Sequence, residues 1–167
     1  LPHDTKTLSV IDRAMAEAGL RRKGSGRSIP APTLKEDLMF MLAIMGRQSV
    51  VSATVDAQAW ASLPCISGRG SYFERRRHRS LIECREDLCL DIAKPAGERP
   101  EEVTDALMLE LDLTRQQATI AFCNKQQDHL LFDVPGIKHG YKGRFKAEID
   151  AGYFVHLART PRDEATA

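Results

Sequence analysis

The seven residues Leu107-Met108-Leu109-Glu110-Leu111-Asp112-Leu113 alternate leucine with a polar or flexible side chain. A period of two puts Leu107, Leu109, Leu111 and Leu113 on one face of an extended chain, whereas a helix would spread them around its circumference. The stretch therefore predicts a half-buried strand and, with it, a sheet. Ala118–Cys123 and His129–Val134 read as two further strands, joined through the polar turns Thr114–Gln117 and Asn124–Asp128. Short polar connections between such strands predict an antiparallel meander, ended by Pro135 and Gly136. Beyond it, Asp150 is placed to cap a last helix carrying Tyr153, Phe154 and Leu157, and the polar tail past Pro161 is expected to fray.

Upstream the period changes. Leu8, Ile11, Met15 and Ala18 recur at helical spacing, and Gly19 stands where a left-handed residue would close the helix. Thr33 and Glu36 have the spacing of a capping box before Leu34, Leu38, Met41, Leu42 and Met45, with Gly46 closing the run. A third helix is expected over Ser49–Ser62, with Val51, Val55 and Ala59 on one stripe and Trp60 packed near its end, before Pro64. The spacing of Tyr72, Phe73, Arg76 and Ser80 predicts a fourth helix over Arg69–Arg79, its face extended by Leu81 and Cys84. Glu86–Ala93 fits a strand or a helix equally, because Leu88, Leu90 and Ile92 alternate with Asp87, Cys89 and Asp91. Pro95, Gly97 and Pro100 mark a connection. The expected fold class is α+β: an N-terminal helical, helix-turn-helix-like bundle over 1–94, followed over 101–160 by an antiparallel β-meander and a C-terminal helix. The two segments make either two halves or one compact domain.

The chain has 167 residues, 43% hydrophobic and 28% charged, the balance of a globular domain rather than of a disordered or fibrous chain. Its longest apolar run, Leu38–Met45, is too short to cross a bilayer, and no positive segment followed by a secretory core opens the sequence. A cytoplasmic protein without a membrane partner is expected. Cys65, Cys84, Cys89 and Cys123 are spread through a chain large enough to build a core, so reduced thiols are expected rather than a disulfide framework.

The formal charge is +1, yet the charges are segregated along the sequence. Arg21, Arg22, Lys23, Arg27 and Lys35 fall between Glu17 and Glu36 with no acid among them. Arg69, Arg75, Arg76, Arg77 and Arg79 stand against the single acid Glu74, and Lys138, Lys142, Arg144 and Lys146 form a third block. Between Glu83 and Asp112, ten acids face the three bases Arg85, Lys94 and Arg99. Clustered cations gain binding to a polyanion by releasing its condensed counterions, and arginine adds two-pronged bonds to phosphate or guanine. In Arg21-Arg22-Lys23-Gly24-Ser25-Gly26-Arg27 the glycines let the backbone approach a ligand closely. The candidate DNA-contacting residues are therefore Arg21, Arg22, Lys23, Gly24, Gly26 and Arg27, then Arg75, Arg76 and Arg79, and then Lys142 and Arg144.

Other chemistries find less support. His78, Cys84 and Cys89 lack the paired spacing of structural zinc ligands, and no local motif joins a cysteine to an activating histidine. Glu101, Glu102 and Asp105 adjoin a loop and read as solvated charge. Lys23-Gly24-Ser25-Gly26 lacks the ending of a phosphate-binding loop and follows no strand. Neither catalysis nor a metal or other cofactor is expected.

Three stretches, Ile11-Asp12-Arg13-Ala14-Met15-Ala16-Glu17-Ala18-Gly19-Leu20, Gly24-Ser25-Gly26-Arg27 and Asp37-Leu38-Met39-Phe40-Met41-Leu42-Ala43-Ile44-Met45-Gly46, resemble the start of small prophage and gene-transfer-agent regulatory proteins. The resemblance covers residues 8–46. It implies a DNA-binding regulator working with RNA polymerase or an associated regulator, with Gly24, Gly26 and Arg27 at the groove. The expectation is a transcriptional regulator on double-stranded DNA, acting as a homodimer because helix-turn-helix readers bind two-fold sites. A protein-binding inhibitor or adaptor encoded by a mobile element, presenting the acidic surface of Glu83–Asp112, is the competing expectation.

Overall fold

A computed structural model describes residues 4–24, 30–77, 79–95, 97–100, 103, 107–122, 129–134 and 146–149. Helix α1, Thr5–Glu17, starts at Asp4, whose side chain accepts a bond from the Lys6 N–H at 3.2 Å, and it buries Ile11 and Met15. It ends as its sequence requires. Gly19 takes φ +72°, a left-handed conformation that costs glycine no Cβ clash, and the Leu20 N–H turns back to the Met15 carbonyl at 2.9 Å.

Helix α2, Leu34–Met45, carries the expected capping box: Thr33 Oγ1 accepts the Glu36 N–H, and the Glu36 carboxylate accepts the Thr33 N–H at 2.6 Å. It buries Leu38, Met39, Met41, Leu42 and Ala43. Helix α3, Ala53–Ala61, packs on α2, but with a different face from the one the sequence favoured. Ala53, Ala57, Trp60 and Ala61 point inward, while Val51 is 94% and Val55 65% exposed, and Ala59 is exposed as well. Two apolar stripes compete on this helix. The alanine stripe wins because small side chains let two helix backbones approach closely, with the indole of Trp60 filling the space beyond.

The expected helix over Arg69–Arg79 is replaced by three pieces: strand β1, Cys65–Arg69; a single turn of helix α4, Ser71–Glu74; and a turn through 75–77. Gly70, at φ +90°, interrupts any helix running in from Arg69. Ser80 is the N-cap of helix α5, Leu81–Ala93, with a second capping box to Glu83. Residues 86–93 are therefore helical. Leu88 and Ile92, four apart, are buried and Leu90 is 59% exposed, the outcome of a 3.6-residue period and not of a two-residue one.

Strands β2, Leu107–Asp112, β3, Gln117–Phe122, and β4, His129–Phe132, form the expected antiparallel meander. Leu109, Leu111, Ala118, Ile120, Phe122, Leu130 and Phe132 make its inner face. The sheet is wider than the sequence foretold. Strand β1 adds to β4, and β5, Lys146–Ile149, adds to β2, giving a five-stranded sheet in the order β1-β4-β3-β2-β5. The two segments, 1–94 and 101–160, share one hydrophobic cluster: the Phe73 ring from the first stacks on Phe122 from the second at 4.9 Å. The expected C-terminal helix after Asp150 lies outside the described residues.

Candidate nucleic-acid interface

The left-handed turn at Gly19 sends the chain back beside α1, so Arg21, Arg22, Lys23 and Gly24 line one hollow of about 400 Å³ with Asp12, Arg13, Ala16 and Glu17 of the helix. Arg21 pairs with Asp12. Arg22 is held more firmly. Its backbone N–H donates to Glu36 Oε1 at 2.7 Å, its guanidinium lies 3.2–3.3 Å from both Glu36 oxygens, and a further guanidinium N–H donates to the Ala31 carbonyl. Burial works to raise the Glu36 carboxyl, but the N–H groups of Thr33 and Arg22 and the Arg22 guanidinium outweigh it and hold the carboxyl below the ordinary glutamate range. The chain on either side of residues 25–29 is thus tied to the start of α2. Gly26 and Arg27 lie outside the described residues.

Lys23 and Arg13 are exposed, and neither enters an ion pair among the described residues. Arg13 is the member of this site that sequence reading overlooked. The signal was present: a helix closed at Gly19 by a reversal returns the next residues past the last turns of the same helix, and Arg13 lies on those turns.

The second block does not line this hollow. Arg76 is 4% exposed, and its guanidinium is spent inside the fold, donating to Asp91 Oδ2 at 2.7 Å, to the Tyr72 hydroxyl at 3.0 Å and to the Tyr72 carbonyl at 2.9 Å. The Tyr72 hydroxyl donates to the same Asp91 oxygen at 2.5 Å, and Lys94 donates to the other at 2.7 Å. Burial would raise the Asp91 carboxyl, yet these donors pull it below the ordinary aspartate range. Arg79 pairs with Asp87. Arg75 is 58% exposed by side chain, with its guanidinium 4.9 Å above the Tyr72 ring and 3.8 Å from Asp91. The sequence places these arginines in one basic run, but α5 brings Asp87 and Asp91 against them, so much of the segregation along the chain is cancelled across it. Lys142 and Arg144 lie outside the described residues.

A larger hollow, about 950 Å³, opens where α2 and α3 meet the β2–β3 turn. Trp60, Leu63, Pro64, Leu113 and Val134 give it an apolar lining, and Arg47 and Asp56 contribute charge. The Trp60 Nε1–H donates to the Gly46 carbonyl at 2.9 Å. Cys65, Cys84 and Cys89 are buried free thiols, and burial, the largest cause, pushes Cys84 up to about 12. Among the described residues, no group of three or more His, Cys, Asp or Glu residues gathers as a metal site, and no helix is long and apolar enough to cross a membrane. Comparison with protein families, with curated proteins and with solved structures finds no match to this chain.

Proposed function

We propose that the chain is a DNA-binding regulatory protein, of the mobile-element kind its first residues resemble, and that it engages the phosphate backbone through the hollow beside α1. One observation carries this reading. Four cations, Arg13, Arg21, Arg22 and Lys23, line a single hollow beside the Gly24 backbone, and while Arg21 and Arg22 are paired with Asp12 and Glu36, Arg13 and Lys23 enter no ion pair among the described residues. Such a surface attracts phosphate oxygens and releases their counterions. The α2–α3 connection, residues 46–52, is longer than the turn of a helix-turn-helix reader, and α3 contains no lysine or arginine, so backbone contact is the mode proposed rather than base reading by α3. A cytoplasmic setting, self-association on a two-fold site and a partner at RNA polymerase belong to the same proposal.

The test is fluorescence anisotropy with a random duplex across a salt series. Two to four phosphate contacts predict a slope of about −2 to −4 in the logarithm of affinity against the logarithm of salt. Absence of binding at about 50 mM salt, where backbone contacts are strongest, would refute the proposal. The second reading, a protein-binding adaptor, is favoured by the apolar hollow at Trp60 together with the bare ridge of Val51 and Val55. Of the acidic run Glu83–Asp112, Asp87 and Asp91 are taken up by Arg79 and Arg76, so the apolar hollow and ridge carry this reading more than those two carboxylates do.

A further inference from the structure

We propose that phosphate is met in this hollow by Arg13 and Lys23, and that Arg21 and Arg22 hold the hollow in shape without being contacts themselves. The inference rests on the polyanion-binding reading above and divides the labour within it. Arg22 satisfies its guanidinium on the Glu36 carboxylate and the Ala31 carbonyl, and turning it toward a phosphate would break those bonds and the link they make to the α2 capping box. Arg21 is likewise engaged by Asp12. A cation already neutralised by a fixed carboxylate brings little new attraction to a phosphate, because binding must first undo the existing pair. Arg13 and Lys23 have no such pair among the described residues, line the same hollow, and are exposed. Arg22 is therefore a positioning residue: it closes the neck between Arg22 and Ala31 from which Lys23 and Gly24 depart.

Two titrations test this, one with a random DNA duplex by anisotropy and one with pyrophosphate followed by NMR of arginine and lysine side chains. Arg13→Ala and Lys23→Ala are each expected to make the salt slope shallower by about 1, with an unchanged melting temperature. Arg21→Gln and Arg22→Gln are expected to keep the parent slope, because no phosphate contact is lost, but to bind more weakly at every salt concentration when measured well below their melting temperatures, with Arg22→Gln also melting lower. The reverse pattern, slopes changed by Arg21→Gln and Arg22→Gln and untouched by Arg13→Ala and Lys23→Ala, overturns the assignment. If the parent binds no duplex, the DNA reading falls and pyrophosphate decides the rest. Shifts of the Arg13 and Lys23 side chains then sustain the anion-contact assignment, and an unmoved pair removes it.

Discussion

At Gly46, a single added methyl group is pushed in opposite directions by chain entropy and by packing. Gly46 closes α2 at φ −91° and ψ −4°, a conformation any residue adopts, so Gly46→Ala should stabilise by about 0.4–1 kcal/mol through the unfolded chain alone. Packing says otherwise. A Cβ on Gly46 would fall deep inside contact distance of Trp60 Nε1 and Cδ1, with the Leu42 carbonyl at 3.1 Å on another side. The indole is 5% exposed and has its N–H bonded to the Gly46 carbonyl, so it must both move and lose that bond. Overpacking costs about 1–3 kcal/mol and a buried donor left unpaired about 1–3 more. Entropy offsets only part of this, leaving a net loss of about 2–4 kcal/mol, on the order of 10 °C in melting temperature for a chain of this size. Trp60 is the chain's single tryptophan, so its fluorescence reports on the site directly. Urea unfolding by circular dichroism should give the lower stability, and the native emission should shift to the red. A Gly46→Ala protein as stable as the parent, with unshifted emission, would refute the packing argument.

Removing the Arg76 side chain by Arg76→Ala takes one donor from the buried Asp91 carboxylate, which keeps Tyr72, Lys94 and the more distant Arg75, and should cost about 1.5–3 kcal/mol in urea unfolding, whereas an Arg76 serving only as a surface contact would cost almost nothing. Stability should also fall in acid. Glu36 and Asp91 are held below their ordinary values of 4.5 and 3.8, so their contribution is complete above those values and is lost as the pH drops through the lower folded ones. Glu86, raised by burial, works in the opposite sense, its contribution fading as the pH rises through its folded value. Urea midpoints measured from pH 7 to pH 3 should therefore fall below about pH 4.5, and Glu36→Gln, which keeps a capping acceptor but cannot ionise in this range, should flatten the curve. Cys65, Cys84 and Cys89 should resist iodoacetamide at neutral pH in the native protein and react once it is unfolded in urea; rapid native labelling of Cys84 would contradict its burial.

Local signals wrote much of this fold legibly. Thr33 with Glu36 and the left-handed Gly19 fixed helix ends by bonds that span a few residues, and the leucine alternation at 107–113 identified a strand whose partners lay close along the chain. What stayed hidden depended on distant residues. Cys65–Arg69 becomes a strand because β4 supplies its hydrogen-bond partners, and nothing within the five residues announces that. Ser80 and Glu83 carry a capping-box signal, and a helix begun there runs through residues 86–93. On α3, two apolar stripes of similar strength left the choice to the shape of α2. The candidate site was legible in part for the same reason: the first basic block is visible as charge, but Arg13 joins it only after a chain reversal, and Arg76 leaves the surface only because Asp91 and Tyr72 meet it inside.

The pairing of β1 with β4 also constrains how the protein comes into being. Cys65 faces Phe132 and Arg69 faces His129, so the sheet's outermost strand on that side is synthesised more than fifty residues before the strand that holds it. A nascent chain ending near Pro100 can form its capped helices, but it leaves Phe73 without Phe122 and β1 without a neighbour. Closing a loop of that size must precede the reward of the contacts it makes, which slows the step and lengthens the time an unpaired strand is open to other chains. Cutting the gene at the proline-rich connection would accordingly yield a fragment prone to self-association, and co-expression of both pieces should restore solubility by returning β4 to β1.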